Sequence, residues 1–133
     1  MDLATQIPPR TEDLLIGVLA VIALQGRDTL KTSDKVFHSA FSRALDVFSR
    51  KGNAELVELA DSYYQDVVTN KYEELDDALI AAERFSLLRF PNPTYSRLQV
   101  TMTPRVAEEF LNKYPDQRAT FEEAAHVLLE HLT

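Results

Sequence analysis

Apolar residues recur along this chain at the spacing of amphipathic helices, and the clearest run lies between Val36 and Phe48. There they fall every three or four residues, which lines one face of a helix with buried side chains. That helix is predicted to reach about Arg50, and its cap is one of Thr32, Ser33 and Asp34. Asn53 is the predicted cap of the next helix. Further helices are predicted over residues 12–25, 54–69, 72–85, 104–114 and 118–132.

The first of these helices is apolar on nearly every side, because residues 14–24 read LLIGVLAVIAL. A membrane-spanning helix needs about 20 apolar residues, so this shorter run predicts a central helix packed on two faces. A second chain could cover one of those faces. The third helix is predicted to turn Leu56, Tyr63, Val67 and Val68 inward.

Between the fourth and fifth helices the pattern changes to short β-type runs. Pro91 and Pro93 exclude helix there, and residues 87–90 and 97–103 have the composition of a β-hairpin with a longer loop. Thr103 followed by Pro104 predicts the start of the next helix. Residues 26–31 could form one more short strand.

Residues 75–111 resemble the recognition helix and wing of MarR-type regulators and related winged-helix proteins. The shared positions are a glutamate near the helix end, a Leu-Leu-Arg strand, a proline loop, a returning strand and a Thr-Pro helix start: Glu83, Leu87, Leu88, Arg89, Pro93, Arg97, Val100, Thr103 and Pro104. The resemblance implies a winged-helix fold whose first and last helices serve in dimerisation. It also implies DNA binding.

The sequence departs from that family in the helix that would enter the DNA groove. Five carboxylates stand there against the single cation Arg84, namely Glu73, Glu74, Asp76, Asp77 and Glu83. Carboxylates repel the phosphate backbone, and base-reading side chains are missing from the first two turns. A glycine usually ends this helix in the family, whereas Phe85-Ser86 stands here. The helix is therefore predicted to face a protein more readily than DNA.

Composition narrows the chemistry further. The net charge of −7 disfavours nonspecific binding to nucleic acid or anionic membranes, and the lack of cysteine excludes disulfides and thiolate metal sites. Three glycines cannot form a glycine-rich phosphate loop. Glu123 and His126 have the spacing of a di-iron ligand pair, but no second such pair exists, so they are interpreted as surface residues. We expect no metal, no cofactor and no enzymatic activity.

Two groups of cations are the candidate contact residues. Arg84, Arg89, Tyr95 and Arg97 surround the hairpin and could contact phosphate or an acidic partner. Alternatively, these arginines and the nearby Arg105 pair with carboxylates such as Glu83 and Glu108. Arg43 and Arg50 lie seven residues apart and share a face of the second helix. That face could receive a polyanion or an acidic protein, or it could simply be solvated.

The sequence therefore predicts one domain over residues 1–133, mainly α with a small β-hairpin, winged-helix-like, with about six helices. The predicted function is a cytoplasmic protein–protein interaction module, an accessory subunit of a bacterial multiprotein system. Its partner would be another protein or a second copy. The lead-in IPPR to an apolar helix is similar to small winged-helix components of three-component ATPase systems. The alternative is a MarR-like dimeric DNA-binding transcriptional regulator.

Overall fold

A computed structural model describes residues 10–90 and 97–132 of the chain. These residues form six α-helices and three short strands, so the predicted mainly α fold with a small β element is confirmed. In chain order the elements are α1 (Asp13–Leu24), β1 (Thr29–Lys31), α2 (Asp34–Lys51), α3 (Ala54–Asp61), α4 (Glu73–Arg84), β2 (Leu88–Arg89), β3 (Arg97–Val100), α5 (Pro104–Leu111) and α6 (Arg118–Leu132). A single 3-10 turn, Pro115–Gln117, precedes α6.

Helix α1 lies at the centre of the molecule, as its all-round apolar sequence predicts. Residues 14–15 and 17–22 are all buried within this one chain, mainly against α5 and α6. Gly17 lies against the ring of Phe121 on α6, which lets the two helices approach closely. No helix in the described part of the chain combines the length and the apolar character that a membrane crossing requires.

Three predicted helix starts are confirmed by their caps. Ser33 accepts the backbone N–H of Val36 at 3.3 Å, so it is the cap of α2 among the three candidates. Thr103 caps α5 in the same way and is followed by Pro104 in the first turn. Each cap satisfies a backbone N–H that has no partner within the helix. The third, Asn53, caps α3.

The prediction for the third helix is wrong beyond Asp61, where α3 ends. The Asp66 carboxylate accepts the N–H groups of Val68 and Thr69 at 2.7 and 2.9 Å, and so closes a turn. Such side-chain acceptors compete with helical hydrogen bonds. Val67 and Val68, predicted to point inward, are 87% and 85% exposed on this turn.

The end of α4 is a Schellman motif. Leu87 N–H donates to the carbonyl of Ala82 at 2.9 Å, and Ser86 N–H donates to that of Glu83 at 3.0 Å. Ser86 takes the left-handed conformation that the motif requires, with φ of 60°. A serine thus occupies the position where glycine is usual, and β2 follows directly.

The three strands form one antiparallel sheet in the order β1-β3-β2. Leu30 pairs with Leu98, and Leu88 pairs with Val100. These four side chains are buried and cover the core. The hairpin predicted from the sequence is therefore present with shorter strands, and the strand after α1 completes the sheet. The hairpin loop, including Pro93 and Tyr95, lies outside the described residues.

Candidate functional site: a basic sheet face and an acidic cleft

The outer face of the sheet is basic. In the strand register Thr29 and Arg89 both lie opposite Gln99, and Lys31 lies opposite Arg97. Residues opposite each other in an antiparallel sheet point to the same side. These five residues therefore share one face, which we call the basic sheet face.

The charges of the basic sheet face are uncompensated. Lys31, Arg89 and Arg97 are exposed, and none of them forms an ion pair within residues 10–90 and 97–132. Like charges directly opposite each other, as in Lys31 and Arg97, destabilise a sheet. A bound anionic group would relieve that repulsion.

The alternative, that the arginines near the hairpin pair with carboxylates, holds for Arg105 alone among the residues that the structure describes. Arg105 pairs with Glu109 at 3.3 Å. Glu108 instead accepts hydrogen bonds from Nη1 and Nη2 of Arg118 at 2.9 and 3.0 Å. That hydrogen bonding lowers the pKa of Glu108 below its ordinary value, and the ion-pair partner of Glu108 is Arg118 rather than an arginine of the hairpin.

Helix α4 presents the opposite charge. Glu73, Asp77 and Glu83 are exposed, and none of the three forms an ion pair with another described residue. Ile80 lies among them with 52% of its surface exposed. A large aliphatic side chain in water amid carboxylates is typical of an interaction surface when it joins a wider apolar patch.

That wider patch is a cleft beside α4, which we call the acidic cleft. It encloses about 510 Å³ between the start of α2, one side of α4 and the residue after β2. Four of its lining side chains are apolar and three carry carboxylates. The lining residues are Thr32, Ser33, Asp34, Phe37, Asp76, Leu79, Ile80, Glu83 and Phe90.

A buried histidine fixes the wall of the acidic cleft. His38 is 1% exposed; its Nδ1 accepts the backbone N–H of Tyr72 at 2.9 Å, and its Nε2 lies 2.8 Å from the Asp76 carboxylate. Because an N–H can only donate, Nδ1 carries a lone pair and the ring proton lies on Nε2. His38 is therefore a neutral donor to Asp76 and ties α2 to α4.

Asp34, His38 and Asp76 place three metal-ligating atoms within 4.8 Å of one another. The hydrogen bonding argues against a metal ion there. A metal would need the Nε2 lone pair, but the Tyr72 N–H at Nδ1 keeps the ring proton on Nε2. Lys71 already pairs with Asp34, and the hydrogen bond to that carboxylate raises the pKa of Lys71. This arrangement is best explained as a structural brace.

The sequence-predicted contact residues fall on separate surfaces. Arg89 and Arg97 meet on the basic sheet face. Arg84 is exposed at the last turn of α4. Arg43 and Arg50 share a face of α2, as predicted, and line a shallow hollow of about 360 Å³ with groups of both signs from α2 and α6. Tyr95 lies outside the described residues.

Of the Glu123 and His126 pair on α6, His126 is exposed, whereas Glu123 is partly buried and its Oε2 is buried without a hydrogen-bond partner among the described residues. His126 contacts Glu130 at 2.7 Å and both are well exposed, while Glu123 pairs with Lys51 of α2 at 2.7 Å. The two groups thus have different partners.

Three residues of the two surfaces were missed from the sequence. His38 gives no local signal, because its hydrogen-bond partners Tyr72 and Asp76 lie 34 and 38 residues further along the chain. Lys31 gives none either, because the strand that pairs with β1 lies far along the chain. Ile80 has no sequence signal, since only packing decides which aliphatic residues stay exposed.

Comparison of the chain with protein-family models, with curated proteins and with solved structures finds no match.

Proposed function

We propose that this protein is a winged-helix-like protein–protein interaction module that acts as a cytoplasmic accessory subunit of a bacterial multiprotein system, one built around an ATPase. One observation carries the proposal: Ile80 is half exposed on α4 and lines the acidic cleft. The carboxylates around it, Glu73, Asp77 and Glu83, form no ion pair with another described residue. This combination suits a protein partner, because apolar contact supplies affinity and the carboxylates supply orientation.

The same helix disfavours DNA. A helix that enters the major groove brings its first turns within a few ångströms of phosphates, and each unneutralised carboxylate there opposes binding. Glu73 and Asp77 stand in those turns without a cationic partner among the described residues. The wing shape therefore serves to hold α4 and the sheet in fixed orientation for a protein surface.

The winged-helix interpretation is supported by local features of α4 and the hairpin. The Schellman end at Ser86 directs the chain straight into β2, and the Thr103 cap with Pro104 starts α5 directly after the sheet. β1 extends the hairpin on the side of β3. These contacts hold β1, β2 and β3 in one sheet next to α4.

A MarR-like dimeric DNA-binding regulator is the second candidate, and the basic sheet face supports it. Lys31, Arg89 and Arg97 lie on one face, and none of the three forms an ion pair with another described residue. Phosphate contacts of this kind supply affinity without sequence readout. Helix α1 would not form the dimer contact in this case, because residues 17–22 are buried in a single chain.

Anisotropy of a labelled DNA duplex at low salt, paired with co-purification on the tagged protein, tests the two candidates. We expect no submicromolar DNA binding, and a co-purifying protein that is lost with Ile80→Ser and retained with Arg97→Ala. Circular dichroism controls the fold of both variants. Submicromolar duplex binding that Arg97→Ala abolishes would overturn the interaction module in favour of the regulator.

A further inference from the structure

We propose that the acidic cleft binds the apolar face of an amphipathic helix rich in lysine or arginine. This occupant rests on the proposed interaction function and specifies the partner's chemistry. The apolar side chains that line the cleft are Phe37, Leu79, Ile80 and Phe90, and its volume of about 510 Å³ lies within the range of sites that bury a ligand.

The shape of the cleft suits a helix. Asp76 and Glu83 lie seven residues apart on the same side of α4, which places them about 10 Å apart along the helix axis. Leu79 and Ile80 lie between them. A partner helix with apolar residues on successive turns matches this length, as in other helix-in-groove complexes.

The negative charge of the acidic cleft favours a positively charged partner. Asp34 is neutralised by Lys71. Asp76 faces the neutral ring of His38 and keeps its negative charge, and Glu83 has no ion pair with any described residue. Two net negative charges, on Asp76 and Glu83, therefore flank the apolar side chains of Leu79 and Ile80. A helix with basic residues one heptad apart would place a cation against each.

The brace around His38 prepares the cleft for binding. Its hydrogen bonds to Asp76 and to the Tyr72 backbone fix the carboxylate and the first turn of α4 before a partner arrives. Preorganised groups lose little conformational entropy on binding. Affinity should therefore depend on Ile80 and Glu83 separately, through apolar contact and through charge.

The test uses fluorescein-labelled synthetic helical peptides and fluorescence anisotropy on the full chain. The probes are a leucine–lysine amphipathic peptide, the same peptide with its leucines replaced by serine, and a leucine–glutamate peptide. The variants are Ile80→Ser and Glu83→Lys. Glu58→Lys on α3 is the matched control, since Glu58 is exposed, lies outside the cleft and gives the same change of charge.

The leucine–lysine peptide should bind, and each cleft variant should weaken it by about tenfold, while Glu58→Lys leaves it nearly unchanged. Equal binding of the serine-substituted peptide, or an equal loss with Glu58→Lys, would overturn the proposal in favour of unspecific attraction to an acidic protein. Unfolding temperatures of all variants exclude loss of fold as the cause.

Two further outcomes would overturn the occupant and leave the interaction function intact. Binding of the leucine–glutamate peptide that Arg97→Ala abolishes would assign the partner to the basic sheet face. Self-association in sedimentation that Ile80→Ser abolishes would assign the cleft to a second copy. The titration with duplex DNA tests the proposed interaction function separately.

Discussion

Gly17 is a residue whose missing side chain matters to the packing of two helices. A Cβ at this position would overlap the ring of Phe121, which is itself fully buried. Gly17→Ala should therefore lower the free energy of unfolding by about 1 to 3 kcal/mol, because overpacking forces side chains and backbone to shift. Urea unfolding followed by circular dichroism measures the change.

Gly26→Ala provides the control for that experiment. Gly26 has φ of 77° and nothing within 4 Å of a Cβ, so alanine there is strained without overlap. The expected cost is about 1 to 2 kcal/mol. Relief of the Gly17→Ala defect by Phe121→Leu, with no such relief of Gly26→Ala, isolates the contact. A Gly17→Ala variant as stable as the parent would contradict the close packing.

Single residues were predictable from sequence where local chemistry decides. The Asn53 and Thr103 caps each depend on a side chain and an N–H three residues later, so both could be predicted. His38 could not be assigned its role, because its two partners come from positions 34 and 38 residues further along the chain.

At the scale of elements, the junction of α4 and β2 carries local strain. Ser86 holds a left-handed backbone conformation at the position where the Schellman motif favours glycine. Ser86→Gly should raise the free energy of unfolding by about 0.5 to 1 kcal/mol, because relief of strain outweighs the added freedom of the unfolded chain. Thermal unfolding with ΔH from calorimetry measures it.

Ser62→Gly is the matched control for this substitution. Ser62 follows α3 with φ of −76°, where glycine relieves no strain. That variant should lose stability. If both variants lose stability equally, Ser86 is not strained.

The bounds of most elements follow from the apolar period, and the exception has a local cause. Residues 62–69 continue the helical pattern of α3, but the Asp66 carboxylate captures two N–H groups that a helix would need. Tyr63 is buried, as the apolar period predicts, whereas Val67 and Val68 are exposed. Periodicity alone cannot weigh a side-chain acceptor against one further helical turn.

At the scale of the whole molecule, two tyrosines fasten the start of α1 to the rest of the fold. Tyr63 donates its hydroxyl proton to the carbonyl of Thr11 at 2.7 Å, and Tyr114 donates to Asp13 at 2.8 Å. Burial raises the pKa of both phenols well above its ordinary value, and for Tyr114 the bond to Asp13 adds to this.

A raised phenol pKa stabilises the fold fully below the unfolded value near 10, and this stability is lost as the pH rises through the folded value. We therefore expect Tyr63 and Tyr114 to resist ionisation around pH 10, and the unfolding temperature to fall above that pH. Absorbance at 295 nm and thermal scans from pH 8 to 12 measure both effects. Tyr63→Phe should remove one resistant tyrosine; ionisation of all five tyrosines near pH 10 in folded protein would refute the assignment.

The sequence predicted the fold class and only part of the candidate site, for a reason that belongs to the whole molecule. Arg89 and Arg97 could be chosen because one hairpin brings them together. Lys31 joins them only through the register of β1 with β3, which the sequence pattern of either strand alone does not specify. The acidic cleft likewise combines three segments that no local pattern connects.

The central position of α1 has a consequence for how the chain acquires its structure. Helix α1 is synthesised before α5 and α6, the helices that cover it. The separation is large, since Asp13 at the start of α1 and Tyr114 after α5 are 101 residues apart. At synthesis rates of about 5 to 20 residues per second, α1 is synthesised about 5 to 20 s before α5 and α6. Until α5 and α6 are synthesised, the apolar surface of α1 that they cover lacks these contacts.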